Sequence, residues 1–390
     1  MRHPYADRPD WAFWARAVAD PPAGTVDPVV AMPFRIAPGD PVATAGSCFA
    51  QHLTRHLRRN GFTPLRAEER DEAMPEGTAA FSARYGNIYT ARQLVQLVDE
   101  AYGMRQPADP VWRRPDGRFV DALRPRIAPE GFATAEAVRA ARLSHLDAVR
   151  RVLEDCAVFV FTLGLTEAWL SEADGTAYPI APGVVAEGDP CRFHDMTAAE
   201  VEADLAGFVE RLAAVNPGAR VLLTVSPVPL VATAGDAHVL PATVYAKSKL
   251  RVAAEETARR FPHVAYFPSY DLVTNMGPRA FAEDRRTVKQ GVVNAVMGVF
   301  TRHLLGGVAA APAGPATAAD PAPTAPTGPS AVIPSPAAPG TAATASSPDV
   351  PSPGAAAGPD EPDRDADPLL TICDEELYLA APSAPAAARG

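Results

Sequence analysis

Ser47 and Cys48 stand where a short apolar run, Pro41-Val42-Ala43-Thr44-Ala45, gives way to Phe49-Ala50-Gln51-His52-Leu53-Thr54-Arg55-His56-Leu57. The run suits a buried strand. Apolar residues at 49, 50, 53 and 57 have the spacing of one helix face. Ser47 is therefore expected in the turn from a strand into a helix. The first N–H groups of a helix have no partner within it and carry partial positive charge. A serine there can cap the helix, for which serine is strongly preferred. It can also attack a carbonyl whose developing oxyanion those N–H groups stabilise. Cys48 is a rival nucleophile, because a helix N-terminus lowers a thiol's pKa. The rivalry ends if Cys48 points into the core as a small hydrophobe.

Serine chemistry also needs a base to take the hydroxyl proton. His238 follows the strand candidate that ends at Ser226-Pro227. His52 and His56 lie one turn apart on the helix after Ser47; their spacing suits a metal, but no accompanying glutamate motif is present and surface histidines are expected. His194, in Phe193-His194-Asp195, is a further option. His238 ranks first. Lys247, Lys249 and Arg251 cluster on one predicted helix. They read either as a solvated face or as a grip on an acidic or phosphorylated substrate.

Something must hold these residues together. Val158-Phe159-Val160-Phe161 is a continuous apolar run, as in a strand buried on both faces, and follows a helical stretch near 135–154. Arg220-Val221-Leu222-Leu223-Thr224-Val225 follows a helix-like 197–214, with Asn216-Pro217-Gly218 as the turn. His263-Val264-Ala265-Tyr266-Phe267 follows a helix-like 244–260. Strands alternating with helices imply an α/β fold, a parallel sheet with right-handed crossovers and helices on both faces. Ligands in such sheets bind beyond the carboxyl ends of the strands. Ser47, Gly164-Thr166-Glu167 and Ser226-Pro227 all follow strand candidates, so they are expected along one sheet edge.

The sequence has 390 residues and a net charge of −10, which disfavours nucleic acid as a partner. The N-terminal residues lack an apolar signal core, and no apolar run is long enough to span a membrane. A cytoplasmic protein with no membrane attachment is expected. Cys48, Cys156, Cys191 and Cys373 are widely scattered with no C-x-x-C pair, so reduced thiols and no metal site are expected. No Gly-rich phosphate loop follows a strand, and no cofactor is expected. Residues 1–40, with Trp11 and Trp14, read as an extension packed over the core, and 1–306 as one domain. Residues 307–368 are dominated by Ala, Pro, Thr, Ser and Gly; much of the chain's 42 Pro lies there. Such composition cannot offset its ordering entropy and reads as disordered linker. Residues 369–390 begin with the apolar Leu369-Leu370-Thr371-Ile372, a segment that could dock on the domain or on a protein partner.

The string Gly46-Ser47-Cys48-Phe49-Ala50 resembles the GSCFA-domain family. The resemblance continues through Arg84-Tyr85-Gly86-Asn87-Ile88-Tyr89, Thr162-Leu163-Gly164-Leu165-Thr166-Glu167, Thr224-Val225-Ser226-Pro227-Val228-Pro229-Leu230 and Lys247-Ser248-Lys249-Leu250-Arg251. These motifs cover roughly residues 30–300 in the family's order. The family looks like a branch of the SGNH/GDSL hydrolases, with an SGNH- or flavodoxin-like three-layer fold. That implies ester hydrolysis or acyl transfer on a small-molecule or carbohydrate ester, with Ser47 as nucleophile. It further implies oxyanion donors among the N–H groups of Ser47 and Gly86 and the Asn87 amide, and a substrate-binding part for Gly164, Thr166, Glu167 and Lys247. His238 falls where related sequences carry a histidine.

Two departures follow from the same resemblance. The SGNH pattern has Gly-x-Asn after a central strand; here it reads Gly164-Leu165-Thr166, and a hydroxyl can still donate one bond. The pattern ends in Asp-x-x-His; here Asp284-Arg285-Arg286-Thr287 places threonine where the base belongs. Asp284 then acts directly, binds a cation, or pairs with Arg285 or Arg286. The competing reading is a binding or scaffold protein that has kept the fold and lost the base.

Overall fold

The computed structural model describes residues 3–22, 24–47, 49–68 and 81–307, all within one compact unit. The expected linker and terminal segment beyond 307, and Cys48, lie outside the described residues.

The elements, in chain order, begin with β1 (Val42–Gly46), α1 (Ala50–Arg59), α2 (Ala91–Ala101), β2 (Val111–Arg113), β3 (Phe119–Asp121) and α3 (Ala135–Asp155). They continue with β4 (Val158–Leu163), β5 (Glu167–Ser171), β6 (Ala177–Tyr178), β7 (Cys191–Asp195), α4 (Ala198–Val215) and β8 (Arg220–Val225). The last are α5 (Val239–Arg260), β9 (Val264–Phe267), α6 (Ser269–Asn275) and α7 (Gln290–Leu304).

The main sheet has the order β1-β4-β8-β9 and every pairing in it is parallel. Its strands are buried on both faces, as their unbroken apolar runs require. Alternate side chains divide between two cores. Phe159, Phe161, Leu163, Val221, Leu223 and Val225 pack with α2, α3, α4 and α5. Val158, Val160, Leu222 and Phe267 pack with α1, α6 and α7. Three layers result: helices, parallel sheet, helices. Two smaller antiparallel sheets, β2-β3 and β6-β5-β7, complete the fold.

β1 lies at the edge of the main sheet, and irregular chain covers its open side. Leu65 N–H donates to Val42 O, Ser82 N–H to Thr44 O and Ile88 N–H to Gly46 O, while the Tyr85 hydroxyl donates to Thr44 O. Helix starts follow ordinary capping chemistry: Thr90 with Gln93 and Thr197 with Glu200 form capping boxes at α2 and α4.

The N-terminal extension departs from expectation. Trp11 and Trp14 are 51% and 75% exposed, so they do not cover the core. The packed part comes later: Val29, Met32 and Phe34 rest on the α7 side, and Ile36 N–H donates to Leu304 O. No described helix is long and apolar enough to cross a membrane.

Candidate functional site

The β1–β4 ladder runs to the pair Gly46–Thr162, and Ser47 N–H extends it with a 3.1 Å bond to Thr162 O. Gly46 sits at φ +135°, and a Cβ there would lie 2.5 Å from Thr162 O. Only glycine lets the strand end this close to its neighbour. The chain then turns, with Ala50 N–H donating to Ser47 O at 2.9 Å, and α1 begins. Phe49 is the residue flanking the helix and makes no side-chain cap bond. Ser47 is 3% exposed, and its Oγ has no hydrogen-bond partner among the described residues. The capping role open to Ser47 from its position is thus not the one it plays.

Gly164, just beyond β4, faces it. A Cβ on Gly164 would lie 2.9 Å from Ser47 Cβ and 3.3 Å from Tyr89 Cδ1. The N–H groups of Gly164 and Leu165 both donate to Tyr89 O, at 2.9 and 3.0 Å. Gly164 O accepts Lys247 Nζ at 2.7 Å. Thr166 Oγ1 donates to Asp195 Oδ1 at 2.6 Å, and the same oxygen accepts Lys249 Nζ at 2.5 Å. Glu167 accepts Thr233 Oγ1 at 2.6 Å and Ala234 N–H at 3.3 Å. Desolvation nevertheless pushes its carboxyl above the usual range, with help from the Asp195 charge.

Several expected roles meet different chemistry here. The N–H of Ser47 is spent on Thr162 O, and those of Gly164 and Leu165 on Tyr89 O, so these are not open oxyanion donors in this state. The Thr166 hydroxyl is turned to Asp195. Gly86 and Asn87, partly buried, sit on the segment that covers the edge of β1, beside Ile88 and its bond to Gly46 O. Lys247 and Lys249 are 2% and 5% exposed, which corrects the reading of a solvated face. Arg251 is the outward member, paired with Asp271 and Glu255 over the Tyr266 ring.

No histidine hydrogen-bonds the Ser47 hydroxyl among the described residues. His238 is the exposed N-cap of α5, its Nδ1 accepting Leu240 N–H at 3.1 Å. His194 Nε2 lies 2.8 Å from Glu200 Oε1. His56 bonds Thr301 Oγ1 at 2.6 Å. His52 is half-buried and its pKa is lowered to about 4, chiefly by burial and then by Arg55 and Arg59. These two are therefore not the surface histidines expected.

Asp284 lies in the turn between Phe281 and Val288. Its Oδ1 accepts the N–H groups of Arg286 and Thr287, each at 2.9 Å, and its Oδ2 accepts Thr287 Oγ1 at 2.5 Å. Partial desolvation opposes ionisation, yet these bonds hold the carboxyl below its usual range. The Arg286 charge also lowers the Asp284 pKa, and Arg286 Nε donates to Pro229 O. No cluster of three or more His, Cys, Asp or Glu suited to a metal occurs among the described residues.

A buried serine at the end of a parallel strand, facing a glycine at the end of the next, defines an α/β protein with a strand-edge serine site. The chain belongs to the GSCFA family, whose model matches residues 41–300. No curated protein sequence matches. Among solved structures, one described as a GDSL-like lipase from Parabacteroides merdae is 10% identical, covering 69% of this chain and 97% of that one at a TM-score of 0.31. A mutant acetyl-xylooligosaccharide esterase from Geobacillus Stearmophilus is 13% identical, covering 69% and 95% at 0.29. The chain spans 58% of a structure described as a platelet activating factor from Streptococcus pneumonia, covering 37% of itself, at 12% identity and a TM-score of 0.24. Likeness at this level decides nothing about chemistry.

Proposed function

We propose that this protein is a serine-dependent esterase or O-acyltransferase acting through Ser47 on an O-acyl ester of a small molecule or carbohydrate. The observation that carries the reading is the Ser47 hydroxyl, buried and without a hydrogen-bond partner among the described residues. An unmet buried hydroxyl costs about 1–3 kcal/mol. A buried group left unmatched calls for a reason beyond packing, and a role in catalysis is one such reason.

In the reaction, Ser47 Oγ loses its proton to a base and bonds to the ester carbonyl carbon. The tetrahedral centre then collapses, the ester C–O bond breaks and the leaving alcohol takes the proton back. Water, or an acceptor hydroxyl in a transferase, repeats the steps on the acyl-serine and frees Ser47. A fluorescent fluorophosphonate, which labels an activated serine, tests this with the full chain. The expected result is labelling of the wild type and none of Ser47→Ala. An unlabelled wild type overturns it.

A binding protein without turnover is the second reading, favoured by the Asp284–Thr287 bond, which satisfies the carboxylate without a histidine. On that reading residues 307–390 recruit a partner, and their removal abolishes function while leaving the fold and the probe result unchanged.

A further inference from the structure

Resting on the serine-enzyme reading, we propose that Lys247 is the general base for Ser47, a serine–lysine pair standing in place of a serine–histidine one. The position expected for a base holds Thr287, whose hydroxyl is bound to Asp284. No histidine bonds Ser47 among the described residues, and His238 caps a helix. Lys247 reaches the site from the opposite direction. Its side chain rises from α5, fully enclosed, and its Nζ rests on the carbonyl of Gly164. Gly164 is the residue whose Cα packs against Ser47 Cβ with no room for a methyl group between them. One backbone unit thus touches both the lysine nitrogen and the serine side chain.

The chemistry is consistent with that placement. A lysine acts as a base only as a neutral amine, and enclosure away from water disfavours its charged form. Nearby in the sequence, Lys249 on the same helix is paired with Asp195 at the end of β7; Glu167, at the start of β5, accepts the Thr233 hydroxyl. A neutral amine can donate one N–H to Gly164 O and offer its lone pair to the Ser47 hydroxyl. Nζ takes the Oγ proton as Oγ bonds to the acyl carbon. It returns that proton to the leaving alkoxide, then repeats the exchange with water. Catalytic hydrogen bonds are often long before substrate binds. Four methylenes of lysine stem let the nitrogen close on Oγ without moving Gly164. The solvated-face reading has no use for an ammonium sealed from solvent, and the substrate-grip reading needs it exposed.

The test is the rate of fluorophosphonate labelling at Ser47 in the full-length protein. Lys247→Met, similar in volume, and Lys247→Ala are each expected to label at least about a hundredfold more slowly than wild type, the usual scale for removing a general base. Thermal unfolding checks that each is folded. Methylamine or ethylamine, small enough for the space vacated in Lys247→Ala, is expected to restore part of the rate there and none in Ser47→Ala. Lys247→Arg, permanently charged, is expected to stay slow. A merely structural lysine would give no amine rescue. Lys247→Met labelling within a few-fold of wild type overturns the proposal and leaves the serine reading standing. So does loss of labelling in His238→Ala with Lys247→Met unaffected, or a folded Lys247→Ala that amines do not accelerate. A wild type that never labels overturns both readings.

Discussion

Two buried polar regions of this protein are built on opposite rules. Beneath β3 and α3, Asp121 is fully buried yet accepts Arg124 Nε at 2.8 Å, Arg142 Nη1 at 3.1 Å and Leu123 N–H at 3.0 Å. Arg142 turns its other side to Glu100, and Arg124 Nη1 donates to Arg84 O. Burial alone would raise the Asp121 pKa, but Arg142 and Arg124 lower it to about 2. At the end of β1, Ser47 is as buried and its hydroxyl has no such company. The difference bears on the proposed chemistry: a carboxylate held by two arginines specifies packing, while the unmatched Ser47 hydroxyl is the group the proposed reaction would use.

The comparison can be broken most directly at Ser47. Ser47→Ala removes an unmatched group, so labelling is expected to vanish while the melting temperature stays level or rises. A fall of several degrees would make the serine a structural residue after all. Asp121→Ala should do the reverse. Leaving Arg124 and Arg142 buried without their shared carboxylate is expected to cost about 3–5 kcal/mol in denaturant unfolding. A loss under about 1 kcal/mol would show that the cluster is not what holds β3 to α3.

The charged cluster also sets an acid limit. His145, wholly buried, has its pKa lowered to about 4 by desolvation first and Arg124 next, with its Nδ1 2.7 Å from Glu68. The unfolded chain therefore binds the proton more readily than the folded one. Stability should fall as pH drops from about 6.5 towards about 4. His145→Gln should flatten that slope, as read by thermal unfolding at each pH.

At the site, Gly164→Ala places a methyl 2.9 Å from Ser47 Cβ. Overpacking of this kind costs roughly 1–3 kcal/mol, and labelling should slow with it. Thr287→Ala is the smallest expected effect. It removes one bond from a turn that keeps its backbone contacts, worth about 1 kcal/mol, and should hardly change labelling.

Much of this architecture is legible in the residues. Val158–Phe161 and Arg220–Val225 read as strands because both faces are covered and nothing polar interrupts them. The Ser47 turn is legible for the same reason: a strand pattern stops and a helix pattern starts. The antiparallel sheet of β5, β6 and β7 is not, because Cys191–Asp195 is short, half-buried and mixed in character. The burial of Lys247 and Lys249 is not legible either. Local spacing shows lysines on a helix, but what encloses them comes from far along the chain. Gly164 is 83 residues from Lys247 in sequence, and Asp195 is 54 from Lys249. That His238 begins and caps α5 is likewise not shown by its position in the sequence alone.

The edge position of β1 has a consequence for solubility. Exposed strand edges invite pairing with other chains and aggregation. Here Leu65, Ser82, Tyr85 and Ile88 occupy the outer hydrogen-bonding positions of β1. The covering run also carries Gly86 and Asn87 past the end of the strand that bears Ser47. The same short run thus both passes the Ser47 turn and covers a strand edge that would otherwise be open to pairing. Loosening it to admit a larger substrate would bare a strand edge, so variants widened there should lose material to aggregation before they lose affinity.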